Sequence, residues 1–208
     1  MAKQAEFWDG RAEAYDANIQ KHKGRYEEII AITKALLKPE DRVLDFACAS
    51  GEISLALASA VNTLQGIDLS KRMIELAQQK AEQCGCKNAT FKQLDLFDAQ
   101  LEPKSFSVVI AFNIFHLLPN TAKTLERLQL LLKDGGLLVS KTPCLKEQNI
   151  FFRMLLYFAG RTGLTPQIKS FSAKTLETAI SRNFDIGESK RWSEKHAAQW
   201  IIAKVEHL

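Results

Sequence analysis

The stretch Val43-Leu44-Asp45-Phe46-Ala47-Cys48-Ala49-Ser50-Gly51-Glu52 sets the tightest limit on what this chain can become. An apolar strand runs into a turn of small residues, the turn opens a helix, and a second short strand, Gly66-Ile67-Asp68, ends on an acid twenty-three positions after Asp45. That arrangement is how a parallel sheet holds a nucleoside-containing cofactor at its carboxyl edge. Small side chains at Ala47, Ala49 and Gly51 let the backbone come close to a ligand. The amino end of the helix beginning near Glu52 offers unpaired N–H groups and a positive dipole end. Asp68, at the tip of the next strand, can accept two ribose hydroxyl hydrogens at once.

The rest of the chain repeats this alternation. Apolar spacing predicts strands over 42–47, 63–68, 89–94, 106–112, 136–142, 184–191 and 198–205, with helices over 52–60, 71–84, 121–132 and 173–182. Helical spacing also covers 3–20 and 24–37, closed by Pro39. Alternating strands and helices imply right-handed crossovers and a parallel sheet. The last two strands have no helix between them, so the short stretch Ser193–His196 should turn an antiparallel hairpin at one sheet edge. The expected fold is therefore α/β: a Rossmann-like, seven-stranded, mostly parallel sheet with helices on both faces and an antiparallel C-terminal hairpin strand. It is read as a single domain over 1–208, with an N-terminal helical cap over 1–38 and a helical insert over 143–171. Within that insert, Ile150–Ala159 is aromatic and aliphatic with one charge, and such a helix should bury most of its girth. An apolar substrate pocket, core packing and a dimer contact are the readings left open for it.

Several segments together resemble class I S-adenosylmethionine-dependent methyltransferases of the small-molecule type. They are the Asp-x-Ala-x-Ala-x-Gly turn, Ile67-Asp68-Leu69-Ser70, Leu94-Asp95-Leu96, the fourth strand from Phe106 to Phe112 continuing to His116, the Leu131–Ser140 segment, and the opening Phe7-Trp8 to Tyr15-Asp16. The resemblance implies S-adenosylmethionine as cofactor, with Asp45, Ala47, Ala49 and Gly51 at its turn, Asp68 and Leu69 at the ribose, and Met73, Asp95 and Leu96 at the adenine. It implies that Phe112, Asn113 and His116 face the reactive end, with His116 as a candidate general base, and that Trp8, Arg11 and Tyr15 cap the cofactor. Two departures stand out. Ala47 and Ala49 replace the usual glycines, and Ser107 replaces a usual acid; a methyl group where φ must be positive costs on the order of 1 kcal/mol.

Bland readings stay open beside these. Asp45 can cap the following helix, Asp68 can cap through Asp68-Leu-Ser-Lys, Met73 can fill the core, and Asp95 or its neighbour Asp98 can be solvated loop acids.

Composition narrows the partners. With 208 residues, 46% hydrophobic and 25% charged, the chain can bury a sizeable core. The net charge of +4 is spread along the chain rather than gathered in one run, which argues against nucleic acid. Four cysteines show no zinc spacing, and Gly85 between Cys84 and Cys86 reads as a helix cap, so no metal is expected. No apolar run reaches a membrane span, and a cytoplasmic location is expected. The function expected is methyl transfer from S-adenosylmethionine to a small molecule. Its rivals are a catalytically silent cofactor-binding or regulatory protein of this fold and an RNA or protein methyltransferase. A nicotinamide dehydrogenase is disfavoured by the missing Gly-x-Gly-x-x-Gly pattern.

Overall fold

The alternation of apolar strands and amphipathic helices is realised in the computed structural model, which describes residues 2–162, 165, 166, 168–192 and 197–206. The described strands form one seven-stranded sheet in the order β3-β2-β1-β4-β5-β7-β6. The chain groups into two compact units, Met1–Leu101 with Phe106–Val108, and Glu102–Ser105 with Val109–Leu208.

The first unit carries α1 (Ala2–Asp9), α2 (Ala12–Lys21), α3 (Gly24–Lys34), β1 (Arg42–Phe46), α4 (Glu52–Ala58), β2 (Thr63–Asp68), α5 (Lys71–Gln83), β3 (Ala89–Gln93) and the start of β4 (Phe106–Phe112). β1 pairs with β2, and β2 with β3, all parallel, so Asp45, Gly66 and Phe91 stand side by side across three strands. Val43 and Leu44 are fully buried, as a strand covered on both faces requires. α5 turns Met73, Ile74, Ala77 and Ala81 inward at helical spacing and is capped by Ser70, whose Oγ accepts the Met73 N–H at 3.1 Å. Gly85, at φ 66°, follows the helix as its left-handed cap.

The single helix expected over 3–20 is instead two. Gly10 is a poor helix former, and the Arg11 N–H closes a tight turn onto the Trp8 carbonyl at 3.1 Å. Asp9 gains from the break. Its Oδ1 accepts the Ser70 hydroxyl at 2.6 Å and the Arg72 N–H at 3.0 Å, placing a carboxylate at the positive end of α5. The second helix stops at Lys34 rather than 37; single turns close onto Thr33 and Lys34 before Pro39.

The second unit carries the end of β4, α6 (Thr121–Leu131), β5 (Leu132–Pro143), α7 (Ile150–Arg161), α8 (Ala173–Ile180), β6 (Asp185–Arg191) and β7 (Ala198–Lys204). β5 begins at Leu132, four residues before its expected start. β7 runs antiparallel to both β5 and β6, with a register shift between Ile186 and Glu188. The expected hairpin connection Ser193–His196 lies outside the described residues. Trp200 of β7 is fully buried.

The insert helix is present as α7, and the described side chains on one of its faces are not buried within the chain. Ile150, Phe151, Met154, Leu155 and Phe158 are all at least half exposed. A helix that is apolar all round carries no sequence signal for which side meets the protein, and these five positions share one face.

Glycine 66 is fixed by a neighbour. A Cβ there would lie 2.6 Å from Cδ1 of Phe91 and 2.9 Å from Sγ of Cys48. Gly66→Ala should therefore destabilise the protein by about 1–3 kcal/mol through overpacking. Thermal melts check this, and Phe91→Leu in the same chain should recover part of the loss.

Candidate functional site

The turn after β1 adopts the backbone that its small residues permit, although two of them carry a methyl group. Ala47 has φ 61°, Ala49 φ 48° and Gly51 φ 75°. Each left-handed alanine costs about 1 kcal/mol, so the turn must be held by its surroundings. The Cys48 N–H donates to the Ile67 carbonyl at 3.0 Å, the Gly51 N–H to the Cys48 carbonyl at 3.0 Å, and the Ala49 N–H to Oδ2 of Asp68 at 3.0 Å. Gly51 has no freedom to become alanine as its neighbours did. A Cβ there would lie 2.8 Å from the Ala77 Cβ and 3.0 Å from the Phe91 ring. Phe91, which sets both glycines, carries no mark in the sequence beyond its place on β3.

Two carboxylates flank the turn. Asp68 also accepts the Ser70 N–H on Oδ1 at 2.9 Å, so each of its oxygens is oriented by a backbone donor. Burial raises its pKa, and the backbone N–H groups of Ser70, Ala49 and Leu69 only partly oppose that. Asp45 accepts the Ser54 hydroxyl, which ties the end of β1 to α4. Burial pushes Asp45 up to about 6, against the Ser54 bond and with the negative charge of Asp68 adding to the rise. The Ser54 bond reaches a side chain within α4 and caps none of its backbone N–H groups; the residue at the start of the helix is Gly51.

Leu69 accepts the Gln93 side-chain amide on its carbonyl at 3.0 Å. Met73 is 2% exposed and packs as core. Asp95 stands in the turn beyond β3 and accepts the Phe97 N–H at 2.8 Å, while Leu96 is buried beside it. Asp98 accepts the Gln100 N–H at 2.8 Å.

Trp8 and Tyr15, seven residues apart, belong to different helices because of the break at Gly10, yet their rings meet edge to face at 5.9 Å. Burial, Tyr26 and the carboxylates of Asp68, Asp45 and Asp16 raise the Tyr15 phenol, which stays protonated. Arg11 is exposed. Its guanidinium lies 3.8 Å from the centre of the Phe7 ring and donates to the Phe7 carbonyl at 3.4 Å.

A polar cluster that the sequence did not announce joins α2 to the turn. Oγ of Ser50, fully buried, donates to Oδ1 of Asp16 at 2.6 Å, and Nζ of Lys80 reaches Asp16 at 2.7 Å, Ser50 at 3.2 Å and Glu52 at 3.4 Å. Gln20 donates to Glu52 at 2.7 Å, and Lys23 pairs with it at 3.3 Å. Burial works to raise the Asp16 pKa, but the bonds from Lys80 and Ser50 prevail and lower it.

In the second unit, Phe112 is 8% exposed with its ring 5.9 Å from that of Trp200. Asn113 is exposed, left-handed at φ 54°, and donates its N–H to the Lys141 carbonyl at 2.7 Å. Nδ1 of His116 is buried and has no hydrogen-bond partner among the described residues. Burial lowers the imidazole to about 4, so it is neutral at neutral pH. The His116 carbonyl accepts the Lys169 N–H at 2.7 Å. Among the described residues, no group of three or more His, Cys, Asp or Glu side chains is placed to hold a metal ion.

Asp45 makes stability depend on pH. Its folded pKa of about 6 exceeds the ordinary 3.8, so its contribution is fully present below about pH 4 and is lost as the pH climbs through 6. Asp45→Asn keeps an acceptor for Ser54 and removes that loss. Thermal melts should show the midpoint of the variant gaining on the wild type between about pH 4 and pH 7.

A methyltransferase-domain family model matches residues 37–201. YqeM of Bacillus subtilis is 31% identical over 140 residues, 64% of this chain and 53% of that protein. A demethylmenaquinone methyltransferase of Bacillus cytotoxicus is 27% identical over 150 residues, 68% of this chain and 60% of that protein. The matched stretch thus spans only 53% and 60% of these two curated relatives. A solved S-adenosylmethionine-dependent methyltransferase of Methanosarcina mazei superposes with a TM-score of 0.71 at 20% identity, over 85% of this chain and 98% of that one. The N-methyltransferase NodS of Bradyrhizobium japonicum, solved with S-adenosyl-L-homocysteine, gives 0.67 at 16% identity over 89% and 87%. The structures share the fold, and the family match across residues 37–201 settles the membership: the chain belongs to the S-adenosylmethionine-dependent methyltransferases.

Proposed function

We propose that this chain transfers the methyl group of S-adenosylmethionine to a small-molecule acceptor. The observation that carries the reading is the Asp68 carboxylate. Its two oxygens are oriented by backbone N–H groups, from Ala49 and Ser70, and a carboxylate fixed in this way can accept from two adjacent hydroxyls. That donor and acceptor set fits a ribose. The turn beside it keeps its left-handed form with alanine at 47 and 49, which supports a working site over a silent one.

S-adenosylmethionine, when bound, supplies an activated methyl on a cationic sulfur. The residues then have distinct tasks. Asp68 holds the sugar. The turn brings backbone close to the ligand, and Asp95 with the Leu96 backbone is assigned to the adenine edge. Trp8 and Tyr15 exclude water, and Arg11 lies near enough to the same helices to be assigned to the cofactor carboxylate. In the second unit, Phe112, Asn113 and His116 are assigned to the reacting end. A neutral His116 with a free ring nitrogen suits the orientation of an acceptor, and its lowered pKa of about 4 makes it a weak base for proton removal. Direct displacement asks mainly for alignment of donor and acceptor. The small-molecule class is supported by the printed name of the demethylmenaquinone relative and by a net charge spread along the chain.

Isothermal titration of S-adenosylmethionine and S-adenosylhomocysteine tests this directly. Affinity on the order of micromolar is expected, weakened at least about tenfold in Asp68→Ala. A folded wild type that binds neither compound contradicts the proposal. The neutral histidine has its own check: NMR titration of His116 should show a midpoint near 4, and a midpoint above 6 would rule out the buried, neutral imidazole.

A further inference from the structure

The strained turn and the N-terminal helices share one charged anchor. Ser50 lies between Ala49 and Gly51, at the crown of the turn, and its hydroxyl is fully buried between Asp16 of α2 and Lys80 of α5. The Lys80 ammonium contacts three partners: Asp16 at 2.7 Å, Ser50 at 3.2 Å and Glu52, the first residue of α4, at 3.4 Å. The side chains of Lys80, Asp16 and Glu52 are only 18–20% exposed, so their mutual attraction is screened less than that of a surface pair. Around them Gln20 and Lys23 complete the shell of Glu52. This cluster sits on the one segment of the first unit where two alanines hold positive φ.

We propose that Lys80 is a positioning residue of the cofactor turn: by bridging Asp16, Ser50 and Glu52 it holds Ala47, Ala49 and Gly51 in their left-handed geometry and fastens α2 onto the turn. The inference rests on the reading of this turn as the S-adenosylmethionine site. It assigns to a lysine on α5 the work that glycines at 47 and 49 would make unnecessary. With glycine there, left-handed backbone is intrinsic to the chain; with alanine, an external tie must offset the strain. Lys80 touches the turn only through Ser50 and acts on the ligand through the backbone.

The test compares four proteins: wild type, Lys80→Met, the Ala47→Gly/Ala49→Gly pair, and all three changes together. Lys80→Met should weaken S-adenosylmethionine binding about tenfold, which is about 1.4 kcal/mol. The same lysine change in the glycine background should cost less than about threefold, because that turn needs no tie. Should Lys80→Met fail to fold, Asp16→Asn carries the same comparison while keeping the side-chain shape. Amide exchange without cofactor gives an independent reading. In Lys80→Met, protection across 12–21 and 47–51 should fall together, and the glycine pair should restore it at 47–51. Unchanged affinity and protection in Lys80→Met overturns the proposal, as does an equal loss in both backgrounds, which would mark the lysine as merely structural. If the wild type binds no S-adenosylmethionine, the functional reading fails, and the exchange comparison still decides the role of Lys80.

Discussion

The hydrogen bond from the Ala49 N–H to the Asp68 carboxylate ties the turn after β1 to the tip of β2. Without it the left-handed alanines would have less to hold them, and Asp68 would lose the donor that fixes its Oδ2, keeping the Ser70 N–H on Oδ1. The Cys48 N–H to Ile67 carbonyl bond runs parallel to it, so the turn is stitched to β2 at successive residues. The carboxylate is itself kept in an unfavourable setting, partly buried, with Asp9 as a like-charged neighbour and its own charge raising the pKa of Asp45. Groups strained in this way mark functional sites more often than packing interiors.

Two further constraints converge on the same few residues. From below, the Phe91 ring fills the space beside Gly51 and Gly66, so those positions admit no side chain. From the N-terminal side, Asp16 reaches Ser50 while Asp9 caps α5 through Ser70 and Arg72. α1 and α2 therefore contact the elements of the site through polar bonds that fix their position, in addition to the aromatic contact of Trp8 with Tyr15.

Much of this was legible in the sequence, and for physical reasons. Strand and helix periods differ, so β2 and β4 fall where the apolar spacing placed them, and the absence of a helix between the last two strands announced the antiparallel edge. Asp45 and Asp68 were visible because their separation reflects one strand–turn–helix–strand unit. What stayed hidden involves partners distant in the chain. Lys80 and Asp16 are 64 positions apart, each ordinary on a polar helix face. Phe91 matters only through its register with Gly66. The exposed stripe of α7 is not legible in the sequence because apolar composition says that a helix can be buried and not which side is, or against what. The left-handed alanines were foreseen as a cost, but the ties that meet the cost are tertiary.

A turn built on alanines and already shaped for a ribose held by Asp68 should not move when the ligand enters. In a crystal structure of the complex with S-adenosylhomocysteine, both ribose hydroxyls should lie on the Asp68 oxygens, with Ala47 and Ala49 still at positive φ and the Ala49 N–H bond intact. A ligand seated away from Asp68, or a turn that flips either alanine to negative φ to admit it, would show that the turn is not preorganised for this ligand.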